Sequence, residues 1–267
     1  FTSLFLSRHI GTVLDALEAT GQADRTVIAL VSDHGEMGGV HGLRQKGPWM
    51  YRENIGVPFV VSHPDTRTQK TNPGIVSALD FTPTMLGLLG MDAQGVKNRY
   101  TAIRGSDVSE HLGSGSTPRS DSGEGALITY SVGHHIDTEF ARANFEKRRA
   151  NQTDDNFERQ ADAGWVPDLS PRGFMRGIVT EDYKFARYFS PREHHTPTSL
   201  ETLKARNDLE IFDLKSDPGE TRNLATAPSN SDDLLLSLND KLNALIATEV
   251  GPDDGRDLPG PTFFWRA

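Results

Sequence analysis

The sequence predicts an α/β fold, in which a central sheet flanked by helices is followed by a small antiparallel sheet with a helix. Residues 3–90 alternate between stretches with helical and strand patterns, which is typical of a sheet covered by helices. Further along, two apolar runs at 177–180 and 183–189 are separated only by Glu181 and Asp182. This short polar break predicts a tight hairpin and therefore antiparallel pairing.

The first part of the chain contains the predicted central sheet. Residues 3–19 place apolar side chains at helical spacing. Two apolar runs, 27–31 and 57–62, predict buried strands on either side of a glycine-rich loop. A further helix follows, in which Asp80 or Thr82 can cap the free amides of the first turn.

The composition changes after about residue 105, and Gly-Ser-Gly-Ser at 113–116 predicts a linker. Beyond it we predict strands at 126–131 and 210–214, the hairpin, a polar excursion at 138–162, a helix from Ser231 and a tail from Gly251. We therefore divide the chain into residues 1–112, the carboxyl-terminal part of an α/β domain, and residues 113–267, a carboxyl-terminal subdomain.

Charge and composition exclude some classes of protein. The net charge of −9 argues against a nucleic-acid partner, which would require a basic surface. No apolar run reaches the length of a membrane span, so we expect no membrane partner. The chain has no cysteine, which excludes disulfides and thiolate metal sites within it. Localisation stays open between the cytoplasm and the periplasm or secretion, because proteins of both compartments can lack cysteine.

Asp33 and His34 are the first candidate functional residues. They directly follow the apolar run at 27–31, and in open α/β sheets ligands bind outside the carboxyl ends of the strands. An Asp oxygen and a neutral His nitrogen can both coordinate a divalent cation. In the alternative interpretation, Asp33 caps a turn and His34 is an ordinary surface residue.

Lys46 is the second candidate, in a loop that glycines could fold back over the strand ends. An ammonium beside a bound ester would stabilise negative charge on the leaving group and on the non-bridging oxygens. The alternative is a solvated lysine, which is the usual environment of this residue type. Spacing alone does not decide between the two.

Several short motifs, in this order, resemble the sulfatase family within the alkaline-phosphatase-like superfamily. They are Val31-Ser32-Asp33-His34-Gly35-Glu36, His41-Gly42-Leu43, Lys46-Gly47, Glu53 to Val60 with its Val-Pro strand, Asp182-Tyr183-Lys184-Phe185, and Asp217-Pro218-Gly219-Glu220 with Asn223-Leu224-Ala225. The resemblance covers most of the chain except about residues 92–175. It implies an alkaline-phosphatase-like central sheet, and it implies that residues 1–112 belong to a catalytic domain.

The resemblance also implies roles for individual residues. Asp33 and His34 match the family's metal ligands, and Lys46 matches the lysine that contacts the sulfate and the leaving-group oxygen. His41 matches a histidine that could touch the substrate or orient the loop, and we treat Glu36 and Glu53 as structural. The implied cofactor is one divalent metal, with Ca²⁺ placed first because relatives commonly use it. Mn²⁺ or Zn²⁺ stays open, because a histidine ligand suits them better.

One family element is absent from the sequence. Family members form a formylglycine nucleophile in a C/S-x-P-S-R element, and no such element occurs here. Nor does a pair of aspartates follow an apolar strand. We therefore expect this chain to be the carboxyl-terminal portion of a longer enzyme, with an amino-terminal portion of the same protein as its partner.

The resemblance implies a sulfuric ester hydrolase that acts on a sulfate ester by a metal-assisted mechanism through formylglycine. The first alternative is a phosphonate monoester or phosphodiester hydrolase of the same superfamily, which would share the Asp-His pair and the lysine. The second alternative is a non-catalytic homologue that lacks the nucleophile. The organic group of the substrate and the oligomeric state are not readable from the sequence.

Overall fold

The computed structural model of the chain describes residues 2–66, 71–112, 125–132, 136–151, 168–226 and 232–255. It divides into two compact units. The first unit comprises Phe1–Gly35, Gly56–Pro73 and Ala78–Thr117, and the second comprises Glu36–Ile55, Gly74–Ser77 and Pro118–Ala267. The predicted boundary between residues 112 and 113 stays a prediction about domains, and the segment 36–55 groups with the second unit.

The regular elements follow the predicted α/β class. The helices are α1 (Thr2–Ala19), α2 (Arg52–Ile55), α3 (Phe81–Leu88), α4 (Ala93–Arg99), α5 (Thr138–Asn151), α6 (Leu200–Arg206) and α7 (Asp232–Leu245). The strands are β1 (Ile28–Val31), β2 (Phe59–Ser62), β3 (Ala126–Tyr130), β4 (Phe174–Val179), β5 (Tyr183–Phe189) and β6 (Asp208–Asp213). A π-helical turn, Ile246–Val250, continues α7.

In the first unit, β1 and β2 form an antiparallel pair, with Ile28 opposite Ser62 and Val31 opposite Phe59. The predicted strands and the helix at 3–19 are confirmed within one or two residues at each end. The predicted burial of the two strands is wrong, because no residue of β1 or β2 is fully buried and Leu30, Val31 and Val60 are exposed. Strand β2 begins at Phe59, directly after Pro58, because proline has no N–H to donate to a ladder.

Asp80 does not cap α3, so this part of the prediction is wrong. Its side chain makes no capping bond to the helix, although it is fully buried. Instead, Asp80 Oδ1 accepts the backbone N–H of Ser106 at 2.7 Å. One turn later, Thr84 Oγ1 accepts the backbone N–H of Val108 at 3.1 Å. The first turns of α3 therefore bind the backbone of the segment that follows α4, at Ser106 and Val108.

In the second unit, a four-stranded antiparallel sheet has the order β3-β4-β5-β6. The hairpin predicted across Glu181 and Asp182 is confirmed as β4 and β5, with Val179 paired to Lys184. One face of this sheet packs against α7. The core there contains Ile178, Phe185, Ile211, Leu203, Leu235, Leu238, Leu242, Leu245 and Ile246.

The other face of the sheet is covered by the segment 36–55. Met50 packs there against Met175 and Ala186 in a second, smaller core. Because side chains alternate along a strand, β5 presents Phe185 and Arg187 to α7, and Lys184 and Ala186 to this segment. Strand β5 is thus buried on both sides.

Several predicted features lie outside the described residues: the linker at 113–118, residues 152–162 of the polar excursion, Ser231, and the tail from residue 256. Residues 138–151 of the excursion form α5. Within the described ranges, no helix is long and apolar enough to cross a membrane. The short helices α4 and α6 were not predicted.

Candidate active site

Asp33 and His34 lie just beyond the end of β1. His34 Nε2 is 3.3 Å from Asp33 Oδ2, and His34 Nδ1 is 2.7 Å from the Gly35 carbonyl oxygen. Because a carbonyl oxygen only accepts, Nδ1 donates to Gly35, and Nε2 is the ring nitrogen that faces the Asp33 carboxylate.

This geometry fits the pair for a divalent metal. Two ligand atoms that are each about 2.3–2.6 Å from a Ca²⁺ ion can lie 3.3 Å apart. The Nδ1–H bond to Gly35 also follows the usual pattern of metal-bound histidines, in which the second ring nitrogen donates to a carbonyl. Within the described ranges, no group of three or more His, Cys, Asp or Glu side chains is placed to hold a metal.

Lys46 lies in the segment 36–55, which we call the Lys46 loop. Glu36 Oε1 accepts two backbone N–H groups of this loop, from Gly38 at 3.1 Å and from Gln45 at 2.6 Å. Met37 N–H donates to the carbonyl of Gln45 at 3.1 Å, which closes the loop on itself. These bonds agree with the structural role that was predicted for Glu36.

The residues on both sides of Lys46 are fixed. Gln45 has a left-handed backbone, with φ of 63°, and is held by Glu36. Gly47 is held by Asn54, and a Cβ at position 47 would lie 2.6 Å from the Trp49 ring. The Lys46 side chain is exposed. The loop therefore presents an ammonium on a backbone that is held on both sides.

His41 lies in the same loop and stacks on Tyr51. The two ring centroids are 3.8 Å apart and the rings are inclined by 13°. His41 has a φ of 53°, a left-handed conformation that is uncommon outside glycine, and it keeps an exposed side chain. Burial, and then the nearby Glu210 and Glu220 carboxylates, raise the pKa of Tyr51, so the stacked phenol stays neutral at physiological pH.

The four predicted site residues therefore fall into two pairs, one in each unit. Asp33 and His34 are adjacent in the first unit, and His41 and Lys46 share one loop of the second unit. Asn54 was missed in the sequence analysis, although it is buried and fixes Gly47. A single asparagine in a polar stretch gives no sequence signal of burial, because its role depends on the path of the loop.

Part of the chain is similar in sequence to a known protein family. Residues 2–91 match the family model described as Sulfatase. The N-acetylglucosamine-6-O-sulfatase of Bacteroides thetaiotaomicron is 34% identical over 92 residues, which are 34% of this chain and 16% of that protein.

Two solved structures share the fold over nearly the whole chain. A 2-O GAG sulfatase superposes with a TM-score of 0.64 at 20% identity, covering 95% of this chain and 42% of that one. The phosphonate monoester hydrolase of Agrobacterium radiobacter superposes with a TM-score of 0.58 at 22% identity, covering 90% of this chain and 38% of that one. The chain thus spans less than half the length of each of these proteins.

Proposed function

Because this chain belongs to the sulfatase family, we propose that it forms part of a sulfuric ester hydrolase whose substrate is a small-molecule sulfate ester. The observation that carries the proposal is the Asp33–His34 pair, 3.3 Å apart at the end of β1, in a chain whose next loop holds Lys46. Metal ligands followed by a fixed ammonium suit the binding of a charged ester group.

Asp33 and His34 would hold a divalent metal, with Ca²⁺ first and Mn²⁺ or Zn²⁺ as the alternatives. When bound, such an ion supplies positive charge that polarises the sulfuryl oxygens. Lys46 would donate to a non-bridging oxygen and to the departing alkoxide oxygen, and His41 would contact the substrate or orient the loop. Elemental analysis of protein purified without added metal would identify the ion.

The nucleophile would lie outside residues 1–267, since neither C-x-P-S-R nor S-x-P-S-R occurs in them. We propose a formylglycine in its hydrated form, a geminal diol. One hydroxyl of the diol would attack the sulfur atom and form a covalent sulfate ester, while the S–O bond to the alcohol breaks and the alkoxide leaves. An upstream segment of the same protein is then the partner that completes the site. The residue at that position separates an enzyme from a non-catalytic homologue, because only Cys or Ser can be converted to formylglycine.

A second candidate function is phosphonate monoester or phosphodiester hydrolysis. It is favoured by the likeness of this fold to the phosphonate monoester hydrolase, because both ester groups carry negative oxygens that the same Asp-His pair and lysine could bind. Rates on 4-nitrophenyl sulfate and on a phenyl phosphonate separate the two. We expect the sulfate to be the faster substrate, and a much faster phosphonate would replace the leading proposal.

The role of Lys46 is tested by Lys46→Ala in the complete protein. We expect turnover to fall about 100-fold or more, the usual loss when one donor to a developing oxyanion is removed. The fold should be unchanged because Lys46 is exposed. Lys241→Ala is the matched control, an exposed lysine on α7. Unchanged turnover in Lys46→Ala would remove this lysine from the mechanism.

A further inference from the structure

A buried ion pair joins the Lys46 loop to the four-stranded sheet. Lys184 on β5 pairs with Glu220, and only 6% and 3% of the two side chains are exposed. Lys184 Nζ also donates to the carbonyl of Met50 at 3.1 Å. Glu220 Oε2 accepts the backbone N–H of Arg52 at 2.8 Å. Each partner of the pair therefore binds the other and also one backbone group of the loop.

The position of Glu220 is set by the turn that precedes it. Asp217 Oδ2 accepts the backbone N–H groups of Thr221 at 2.8 Å and Arg222 at 2.7 Å, and Glu220 N–H donates to the Asp217 carbonyl at 3.0 Å. Glu220 has a φ of 54°, which is unfavourable for a residue with a Cβ. Such a conformation persists only where surrounding contacts fix it, and both side-chain oxygens of Glu220 have such contacts.

Packing places the same part of the loop. The Met50 side chain lies over Gly177 of β4, where a Cβ would be 2.7 Å from the Met50 sulfur. Tyr188, on the same face of β5 as Lys184, packs against the second, smaller core as well. A few residues beyond Lys46, the loop thus contacts the sheet at Met50 and the turn that carries Glu220 at Arg52.

A buried ion pair is a poor device for stability alone, because an apolar pair of similar volume is often as stable or more stable. Unlike an apolar pair, a buried ion pair forms directional hydrogen bonds, and each bond fixes the position of one atom relative to another. Lys184 and Glu220 direct their bonds at the backbone of the loop that carries the candidate catalytic lysine.

We propose that Lys184 and Glu220 are positioning residues that fix the Lys46 loop in the geometry required for turnover. The catalytic part of this inference rests on the proposed role of Lys46. The anchoring part rests only on contacts within the second unit. The two parts are therefore tested by separate measurements.

The first measurement is amide hydrogen exchange of residues 36–55 in the 267-residue chain. In Glu220→Gln we expect exchange at Arg52 and Gly47 to rise tenfold or more over the wild-type chain. The apolar double variant Lys184→Met with Glu220→Met avoids an unpaired buried charge, and should remain folded while the loop exchanges faster. The control is Lys204→Met with Asp232→Asn, which removes a more exposed pair between α6 and α7.

The second measurement is turnover in the complete protein. We expect Glu220→Gln to lower kcat about tenfold, and to add nothing to the loss caused by Lys46→Ala, because both changes disable the same group. A merely structural role would add its loss to that of Lys46→Ala. Additive losses would overturn the positioning role.

Wild-type exchange in residues 36–55 of either Glu220 variant would overturn the anchoring, whatever the activity. Faster exchange with no hydrolysis of either ester by the wild-type protein would instead count against the proposed function. It would leave the anchoring in place and remove the positioning for turnover.

Discussion

The Asn54 side chain forms hydrogen bonds with both the backbone N–H and the backbone carbonyl of Gly47. Its Oδ1 accepts the Gly47 N–H at 3.2 Å, and its Nδ2 donates to the Gly47 carbonyl at 2.8 Å and to the Trp49 carbonyl at 2.7 Å. An amide side chain imitates a strand neighbour here, because it offers one acceptor and one donor side by side. The residue after Lys46 is thereby fixed without regular secondary structure.

We predict that Asn54→Ala lowers the free energy of unfolding by about 2–3 kcal/mol, since two buried and one partly buried hydrogen bond are lost at about 1 kcal/mol each. Urea unfolding measures this loss. Asn54→Asp should do no better, because a carboxylate would face the Gly47 and Trp49 carbonyls. Asn98→Ala, which removes only an exposed bond to Gln94, is the control and should stay within about 0.5 kcal/mol. Equal losses of unfolding free energy in Asn54→Ala and Asn98→Ala would show that the hydrogen bonds of Asn54 do not stabilise the fold.

Gly177 should not tolerate a side chain while Met50 is present. A Cβ there would lie 2.7 Å from the Met50 sulfur and 3.1 Å from the Phe185 carbonyl oxygen. We expect Gly177→Ala to cost about 1–3 kcal/mol through overpacking. Adding Met50→Ala should make the Gly177→Ala change cheaper than it is in the wild-type background, and a double-mutant cycle by thermal unfolding gives that coupling. Strictly additive costs would mean that the two residues do not compete for space.

Asp253 should make stability depend on pH in acid. Burial alone would raise the pKa of this carboxyl, but hydrogen bonds from His194 at 3.0 Å and Arg176 at 3.4 Å, with the Arg176 charge, leave its pKa lowered. The folded chain therefore releases this proton more readily than the unfolded chain. The resulting stabilisation is present above the ordinary Asp pKa and is lost as the pH falls through the lowered value.

We predict that Asp253→Asn lowers stability at pH 7 by about 1–3 kcal/mol, and that this difference shrinks as the pH falls below about 4, where the aspartate becomes neutral. Denaturant midpoints of both proteins between pH 3 and pH 7 test this. Asp240→Asn, an exposed change on α7, serves as the control. A difference that is constant over this pH range would show that the charge of Asp253 does not stabilise the fold.

Tyr188→Phe tests a carboxyl whose pKa is raised rather than lowered. Burial raises the pKa of Glu210, and the Tyr188 hydroxyl counteracts it by donating to Glu210 Oε2 at 2.6 Å. Without that donor the pKa of Glu210 should rise further. A carboxyl with a raised pKa destabilises the folded chain when it is ionised, and it has no such effect once acid protonates it in both states. Tyr188→Phe should therefore lose more stability, relative to the wild-type chain, at pH 7 than near pH 4. Unfolding curves at the two pH values, with Tyr100→Phe as an exposed control, provide the comparison.

The sequence predicted the elements that have a strong local signal. Residues 3–19 show helical periodicity, the segments that became β1, β2 and β5 are apolar runs, and their bounds agree closely with the structure. Asp80 had the sequence of a helix cap but bonds to Ser106 instead, because a distant segment competes for the same oxygen. Such competition depends on tertiary contacts, which no local pattern contains.

The candidate site was predicted in part for the same reason. Asp33 and His34 are neighbours in sequence, so their proximity follows from any strand end at that position. The pairing of Lys184 with Glu220 joins residues that are 36 positions apart. Both residues belong to motifs that were recognised in the sequence, but the contact between those motifs depends on the sheet and the turn.

The two buried faces of β5 limit how this protein can change during evolution. A substitution in the α7-facing core that shifts β5 also displaces Lys184 and Ala186, and therefore the residues that contact Met50. Substitutions in that core and substitutions in the Lys46 loop therefore have to compensate for each other. By contrast, residues 38–44 are held mainly by bonds within the loop and by Tyr51, so they can vary with little effect on the sheet. Adaptation to new substrates should accumulate there.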